Sequence, residues 1–106
     1  MLDQLNPEQR LLLLRFLASF AWVDGEVTDS ERRFVRRIAG RFDLAPDDAK
    51  EVESWLLIPP AEPDPASIPV EHRRAFVEAV RAMMFMDGKV DPSEEAQFES
   101  LRRILP

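Results

Sequence analysis

A ten-residue pattern occurs twice in this chain and constrains its fold more than any other feature of the sequence. The first copy, WVDGEVTDSE, covers residues 22–31, and the second, FMDGKVDPSE, covers residues 85–94. Each copy has two apolar residues, Asp-Gly, one residue, Val, three residues and Glu, at an offset of 63 residues (87 − 24). Apolar residues outside the pattern also match at this offset, as Leu17 and Val80 do. The repeated unit is therefore longer than one loop.

Helix start and stop signals surround both copies. Capping-box signatures at residues 6–9 and 28–31 predict two helix starts, and Asp91-Pro92 predicts another. Gly25 and Gly88 can adopt a positive φ and end the helices that precede them. Together with the apolar periodicity, these signals predict five helices, at about residues 7–23, 29–42, 46–57, 70–86 and 91–105.

The repeat indicates how these helices form a core. One helical hairpin cannot bury its apolar stripe, but two hairpins can cover each other. We therefore predict an all-α fold, a single domain over residues 1–106 built from two pseudo-repeated helix–Asp-Gly loop–helix hairpins at about residues 7–42 and 70–105. Five prolines in residues 58–69 predict an extended crossover. A linker between two domains is the alternative, but each half is small for a domain of its own.

Charge and composition narrow the function classes. The chain has 20 acidic and 14 basic residues, and its net charge of −6 makes nucleic acid an unsuitable partner and favours cations or a basic protein surface. The absence of cysteine excludes disulfides and thiolate sites and is compatible with the cytoplasm. The apolar run at residues 11–23 is too short to span a bilayer and is interrupted by Arg15, so we expect neither a transmembrane segment nor a signal peptide.

Asp24 and Asp87 are the pattern residues whose roles are hardest to explain by packing or capping. The valine of each copy can pack into the core, and the final glutamate can complete a capping box. Each aspartate, however, lies at the C-terminal end of a helix, where the macrodipole disfavours a carboxylate. Two interpretations stay open. The carboxylate can accept backbone N–H groups of its own loop, or it can bind a cation together with Glu31 or Glu94.

The second half of an EF-hand calcium loop has the same Asp-Gly, aliphatic and Glu pattern. The first and third ligand positions of such a loop would fall on Phe20 and Trp22 in one copy and on Met83 and Phe85 in the other. None of these side chains carries oxygen, so a complete EF-hand site is excluded. A partial divalent-cation site is the alternative; its candidate ligands are Asp24, Glu31, Asp87 and Glu94, with Glu26, Asp29 and Asp91 as further candidates.

The segments FAWVDGEVTDSE and MMFMDGKVDPSE, each followed by a helix, resemble the TerB-like family, which is named for tellurite-resistance proteins. A similar helical module precedes the J domain in some membrane-anchored co-chaperones. The resemblance covers most of the chain outside the proline-rich crossover. It implies an all-α fold with the two acidic loops near each other and a cytoplasmic accessory role in stress response or envelope-linked complexes. It also implies metal binding at the matching acidic positions, which are Asp24, Glu31, Asp87 and Glu94.

The chain departs from the family pattern in the second loop. Lys89 stands where the first loop has Glu26, so a lysine can act as the countercharge of Asp87 in place of a metal ion. The chain is also shorter than a typical family member, and its middle is a proline-rich crossover.

The acidic loops support three function hypotheses. The leading one is a non-enzymatic interaction or accessory module of the tellurite-type stress response, whose paired acidic loops bind a cation or a basic partner. The second is a divalent-metal-binding or metal-sensing protein. The third is a hydrolase that uses the carboxylates, which requires a cleft with clustered carboxylates. We expect a protein partner, and a homo-oligomer stays open.

Two other surfaces have alternative interpretations. The second helix has a polar face that is either solvated, with ion pairs such as Asp29–Arg33, or docks an acidic partner; its arginines are Arg32, Arg33, Arg36 and Arg37. Three methionines stand close together near the end of the fourth helix, and helical spacing assigns Met83 to the core. The single histidine, His72, is expected at the surface.

Overall fold

The computed structural model describes residues 4–23, 25–86 and 92–103, except for the side chains of residues 93 and 94. In this part of the chain the structure is all-α, as predicted, and contains no strand. Its helices are α1 (Pro7–Ala21), α2 (Asp29–Arg41), α3 (Pro46–Trp55), α4 (Arg73–Met84) and α5 (Pro92–Arg102). The Cα radius of gyration is 12.7 Å, close to the value of about 13 Å for a compact chain of this length.

Helix α1 is the centre of the fold. Its N-terminus has the predicted capping box, in which Asn6 and Gln9 each accept the other's backbone N–H at 2.9 Å, and Pro7 occupies the first turn. The helix contacts α2, α3 and α4, and the ring of Phe16 meets that of Phe76 edge-on at 5.9 Å. Its buried residues therefore cover more than one stripe; they are Leu13, Leu14, Phe16, Leu17, Ala18, Phe20 and Ala21. Most apolar residues of the run at residues 11–23 are therefore buried.

The first three helices end earlier than predicted. Helix α1 stops at Ala21 and α3 at Trp55, each two residues before its predicted end, and α2 stops one residue before Phe42. The residues after α1 and α3 form turns whose backbone N–H groups still donate to carbonyls of the helix, as Val23 does to Phe20. After α3 the chain turns sharply: Leu56 is buried, but Leu57 and Ile58 are 74% and 71% exposed. The reason is geometric, because a turn that buries Leu56 directs the next two side chains outward.

The proline-rich crossover is more structured than a polyproline connector. It contains a 3-10 turn, Pro65–Ser67, in which the carboxylate of Asp64 accepts the N–H of Ala66 at 2.9 Å. Ile68 is only 1% exposed, so the crossover contributes to the core. The predicted start of the fourth helix at Val70 is wrong: residues 70–72 form a second 3-10 turn without a side-chain cap, and α4 begins at Arg73.

The helices contact one another in two sequence-adjacent pairs around the core. Helix α1 contacts α2, α4 contacts α5, and α1 packs against α4. This pairing agrees with two hairpins, but the second Asp-Gly loop lies outside the described residues, so the pseudo-repeat stays a prediction. None of the helices in the described part of the chain has the length and apolarity needed to cross a bilayer.

Candidate functional site

The first acidic loop folds as the sequence pattern predicts over its described residues. Gly25 has φ 94°, a left-handed conformation that favours glycine, and its N–H donates to the carbonyl of Trp22 at 2.9 Å. Val27 is buried and packs into the core. The loop then enters α2 through Thr28, its N-cap residue. The turn at Gly25 and the buried side chain of Val27 thus hold this loop against the helical core.

Glu31 is the only buried charged side chain among the described residues, with 5% of its surface exposed. Its Oε1 accepts the backbone N–H of Thr28 at 2.8 Å, and the hydroxyl of Thr28 accepts the N–H of Glu31 at 3.1 Å. These two bonds are the predicted capping box. Glu31 therefore has a structural role at the start of α2.

The other described acidic residues of this loop lie at the surface. Asp29 is exposed and lies 3.8 Å from the guanidinium of Arg32, so the expected Asp29–Arg33 pair is replaced by one with a spacing of three residues. Glu26 is also exposed, and it too has an interaction partner. The carboxylates of Glu26 and Asp29 are therefore exposed to solvent, whereas the carboxylate of Glu31 is buried and caps α2.

The remaining predicted ligands fall outside the described part of the structure. Asp24, Asp87 and Asp91 are among the residues not described, and the side chain of Glu94 is not described either. Within the described residues no three histidine, cysteine, aspartate or glutamate side chains are grouped closely enough to hold a metal ion. The set Asp24, Glu31, Asp87 and Glu94 therefore stays a prediction.

Trp22, which occupies an EF-hand ligand position in the sequence, has a structural role. Its indole Nε1 donates to the backbone carbonyl of Trp55 at 2.7 Å. That carbonyl belongs to the last residue of α3, where no further helical N–H is available. The indole thus joins the C-terminal ends of α1 and α3, a contact across 33 residues that periodicity could not reveal.

A groove of about 460 Å³ lies between α4 and α5 and was not predicted. Its apolar lining includes Val77, Met84 and Phe98, which are buried, and Phe85, which is 54% exposed. Met86, the next residue, is 37% exposed. In the sequence, Phe85 falls outside the inward stripe of the fourth helix, and this mismatch is the signal that could have identified it.

Charged side chains form the edges of this α4–α5 groove. Glu78 and Glu95 line it and have no ion-pair partner in the described residues, whereas Glu99 pairs with Arg102 at 3.2 Å. The guanidinium of Arg81 lies 6.0 Å from the ring centre of Phe85. The groove therefore combines an exposed aromatic ring with two unpaired carboxylates.

A second cleft, of about 380 Å³, lies between α1, the crossover and α5. Phe16 and Phe20 form its apolar floor, and Pro63 lies on the crossover side. Across the cleft the side-chain amide of Gln97 donates to the carboxylate of Glu62 at 2.9 Å. This bond attaches α5 to the crossover.

One ion pair at the surface links α2 to α3. Arg36 donates to both carboxylate oxygens of Glu53, with the shortest contact at 2.9 Å. The hydrogen bonds to Glu53, followed by the attraction of its charge, raise the pKa of Arg36 above its ordinary value. Arg36 thus stays charged across the accessible pH range, and this part of the helix face is neutralised.

The comparisons with known proteins agree with this architecture. The family model described as tellurite resistance protein TerB matches residues 1–54, just over half of the 106 residues. The matched part contains α1, the first acidic loop, α2 and nearly all of α3. No curated protein and no solved structure has significant similarity to the chain. From the capping pattern, the all-α fold and this match, we conclude that the chain belongs to the TerB family of tellurite resistance proteins.

Proposed function

We propose that the chain is a non-enzymatic interaction module that acts as an accessory protein in a tellurite-type stress response. In this proposal, the acidic loops and the α4–α5 groove recognise a basic partner protein in the cytoplasm. Membership of the TerB family supports the stress-response context. The absence of cysteine is compatible with a reducing compartment.

The observation that carries this proposal is the exposed aromatic ring of Phe85 beside unpaired carboxylates. Phe85 and Met86 directly follow α4, and 54% and 37% of their surfaces are exposed next to an apolar groove. Exposed aromatic side chains often anchor protein interfaces, and methionines adapt to different partners. Glu78 and Glu95 supply negative potential at the same groove. A basic amphipathic helix, with apolar anchors and lysine or arginine on its edges, has complementary chemistry.

The test uses a synthetic amphipathic helix with leucines on one face and lysines beside them, titrated into the purified chain by calorimetry. We expect saturable binding that weakens as salt is added, because the attraction includes exposed charges. Phe85→Ser should weaken binding about tenfold, and the double change Glu78→Gln, Glu95→Gln should reduce the salt dependence. Leu57→Ser is the matched control, since Leu57 is also exposed but lies outside the groove. Equal losses in Phe85→Ser and Leu57→Ser would contradict the proposal.

A divalent-metal site at the acidic loops is the second candidate function. It is supported by the repeated carboxylates of the two loops in the sequence, because divalent cations such as Ca²⁺ take carboxylate oxygens as ligands. The test is a thermal melt in chelator and with Ca²⁺, Mg²⁺, Mn²⁺ or Zn²⁺, for the wild type and the double variant Asp24→Asn, Asp87→Asn. An ion that binds the folded state must raise the Tm, and the double variant should lose that rise.

Glu31→Gln separates the metal role from the capping role. Glutamine can still accept the N–H of Thr28, so capping alone predicts nearly unchanged stability in chelator. A metal site, in contrast, predicts that this variant loses the response of the Tm to the ion. If no ion changes the Tm of the wild type, the repeated loops are hairpin architecture and the metal hypothesis is wrong.

A further inference from the structure

The exposed face of α2 carries arginines that have no ion-pair partner among the described residues. The helix carries five arginines against two carboxylates. Asp29 lies near Arg32 and Glu53 binds Arg36, so two of the arginines are paired. The three others are exposed and have no ion-pair partner in the described residues; they are Arg33, Arg37 and Arg41.

The three unpaired arginines lie on one line along the helix. Their spacing of four residues places them on the same face, about 6 Å apart. On an acidic chain with net charge −6, this line is a local reversal of sign. Solvation alone does not require arginines at a regular spacing of four residues. A partner helix with carboxylates at the same spacing could pair with each of the three arginines.

Gly40 lies on this exposed face, one residue before the end of α2, and no packing contact of the described residues requires a glycine there. Glycine destabilises a helix interior relative to alanine. A Cβ added at Gly40 would meet no atom within 4 Å, so no neighbour in the described chain needs the space. Gly40 does not end the helix either, because the left-handed residue after α2 is Asp43, with φ 51°. The missing side chain therefore leaves open space on the outer surface.

A depression of about 360 Å³ extends from Gly40 toward α3. Small side chains, those of Ala39 and Ala49, form it together with Gly40, and Leu44 and Val52 contribute apolar surface. Its charged lining residues are Asp43 and the Arg36–Glu53 ion pair. A backbone or a small apolar side chain of a partner can approach closely there, since close helix–helix contact uses glycine and alanine at the crossing point.

We propose that the outer face of α2, formed by Arg33, Arg37, Gly40 and Arg41, docks an acidic helical segment of a partner protein. Glutamates or aspartates of that segment pair with the arginine line, and one of its apolar residues enters the depression beside Gly40. This surface is different from the α4–α5 groove and selects the opposite charge. The net charge of −6 disfavours polyanions such as nucleic acid and anionic membranes, which interact with the whole molecule.

The test uses a synthetic helical peptide with glutamate at every fourth position and leucine between, titrated into the full chain by calorimetry and NMR. We expect saturable binding with shifts confined to α2 and the start of α3. Gly40→Leu should weaken binding about tenfold while the variant melts at least as high as the wild type, since leucine favours helix. The double change Arg33→Glu, Arg37→Glu should abolish binding. Arg74→Glu is the matched control, because Arg74 is an exposed, unpaired arginine of α4.

Three results would overturn the proposal. Equal binding of the peptide to the wild type and to Gly40→Leu would show a non-specific attraction of charges. Binding of phosphatidylglycerol vesicles through the arginine line, without binding of the peptide, would assign the face to lipid. A dimer in sedimentation that only Gly40→Leu disrupts would assign the face to a second copy of the chain. Phe85→Ser should leave binding of the acidic peptide unchanged, so failure here is distinguishable from failure of the proposed groove.

Discussion

Two described residues that follow helix ends, Gly25 and Asp43, have a positive φ, and only the first is a glycine. Gly25 has φ 94°, and glycine is the residue that adopts this conformation without strain. Asp43 has φ 51° after the C-terminal end of α2, where glycine is the commonest residue. Asp43 also places a carboxylate just beyond the C-terminal end of α2, the negative end of the helix dipole. Glycine would therefore be more favourable than aspartate at position 43.

We predict that Asp43→Gly stabilises the protein. Glycine removes the cost of the left-handed conformation and the repulsion by the helix end, and we expect a net gain of about 0.5–1 kcal/mol in the free energy of unfolding. Urea denaturation measures this gain, provided that the m-value is the same for the variant and the wild type. Asp43→Val is the opposite control, since a β-branched residue strongly disfavours a positive φ and should destabilise the protein. A Gly variant that is no more stable than the wild type would contradict this account.

At the scale of the helices, side chains donate hydrogen bonds to backbone carbonyls that lie far away in the sequence, at helix ends and in the crossover. The indole of Trp22 donates to Trp55, and the guanidinium of Arg10 donates to the carbonyl of Phe42 at 3.3 Å while lying over its ring. Arg15 likewise donates to Ala61 in the crossover at 3.1 Å. The last carbonyls of a helix have no partner inside it, so these donors help to position each helix end against another element.

We predict that Trp22→Phe destabilises the protein by about 1–2 kcal/mol, because the carbonyl of Trp55 loses its donor and the ring loses part of its packing. The variant keeps an aromatic ring, so the hydrogen bond is the main difference. Urea denaturation measures the loss, and hydrogen exchange should locate it in the last turn of α3. Trp55→Phe is the control, since its backbone carbonyl still accepts the indole. Equal stability of Trp22→Phe and the wild type would show that the bond contributes nothing.

At the scale of the whole molecule, the crossover completes the core that the helices leave open. Ile68 is 1% exposed although it stands in the segment with five prolines. Arg73 donates to its carbonyl at 3.2 Å, and Gln97 binds Glu62 earlier in the same segment. The crossover is thus attached to α4 and α5 as well as to α1, so the two halves of the chain share one domain.

We predict that Ile68→Ala lowers the free energy of unfolding by about 2–4 kcal/mol, through lost apolar burial and the cavity that remains. Ile58→Ala is the matched control, because Ile58 belongs to the same segment but is 71% exposed, and it should change the free energy by less than about 0.5 kcal/mol. Chemical denaturation of both variants decides the point. Similar effects at the two positions would mean that the crossover is a linker rather than part of the core.

The candidate site could be predicted from the sequence only where its interactions are local. The capping box of Thr28 and Glu31 follows from a spacing of three residues, and the structure confirms it. The α4–α5 groove could not be predicted, because the exposure of Phe85 depends on how α5 lies against α4. The pairing of Arg36 with Glu53 was missed for the same reason, since the two residues are 17 positions apart.

The sequence by itself determined the all-α class, the starts of α1 and α2, the turn at Gly25 and the family of the chain. These features depend on backbone conformation and on hydrogen bonds within one helical turn, which residue types specify directly. Only the tertiary structure decided that α1 is covered by three helices, that Ile68 enters the core and that the line of arginines on α2 has no ion-pair partner within the described part of the chain. Those outcomes depend on which distant side chains meet, because burial and charge pairing are properties of the packed molecule rather than of any short segment.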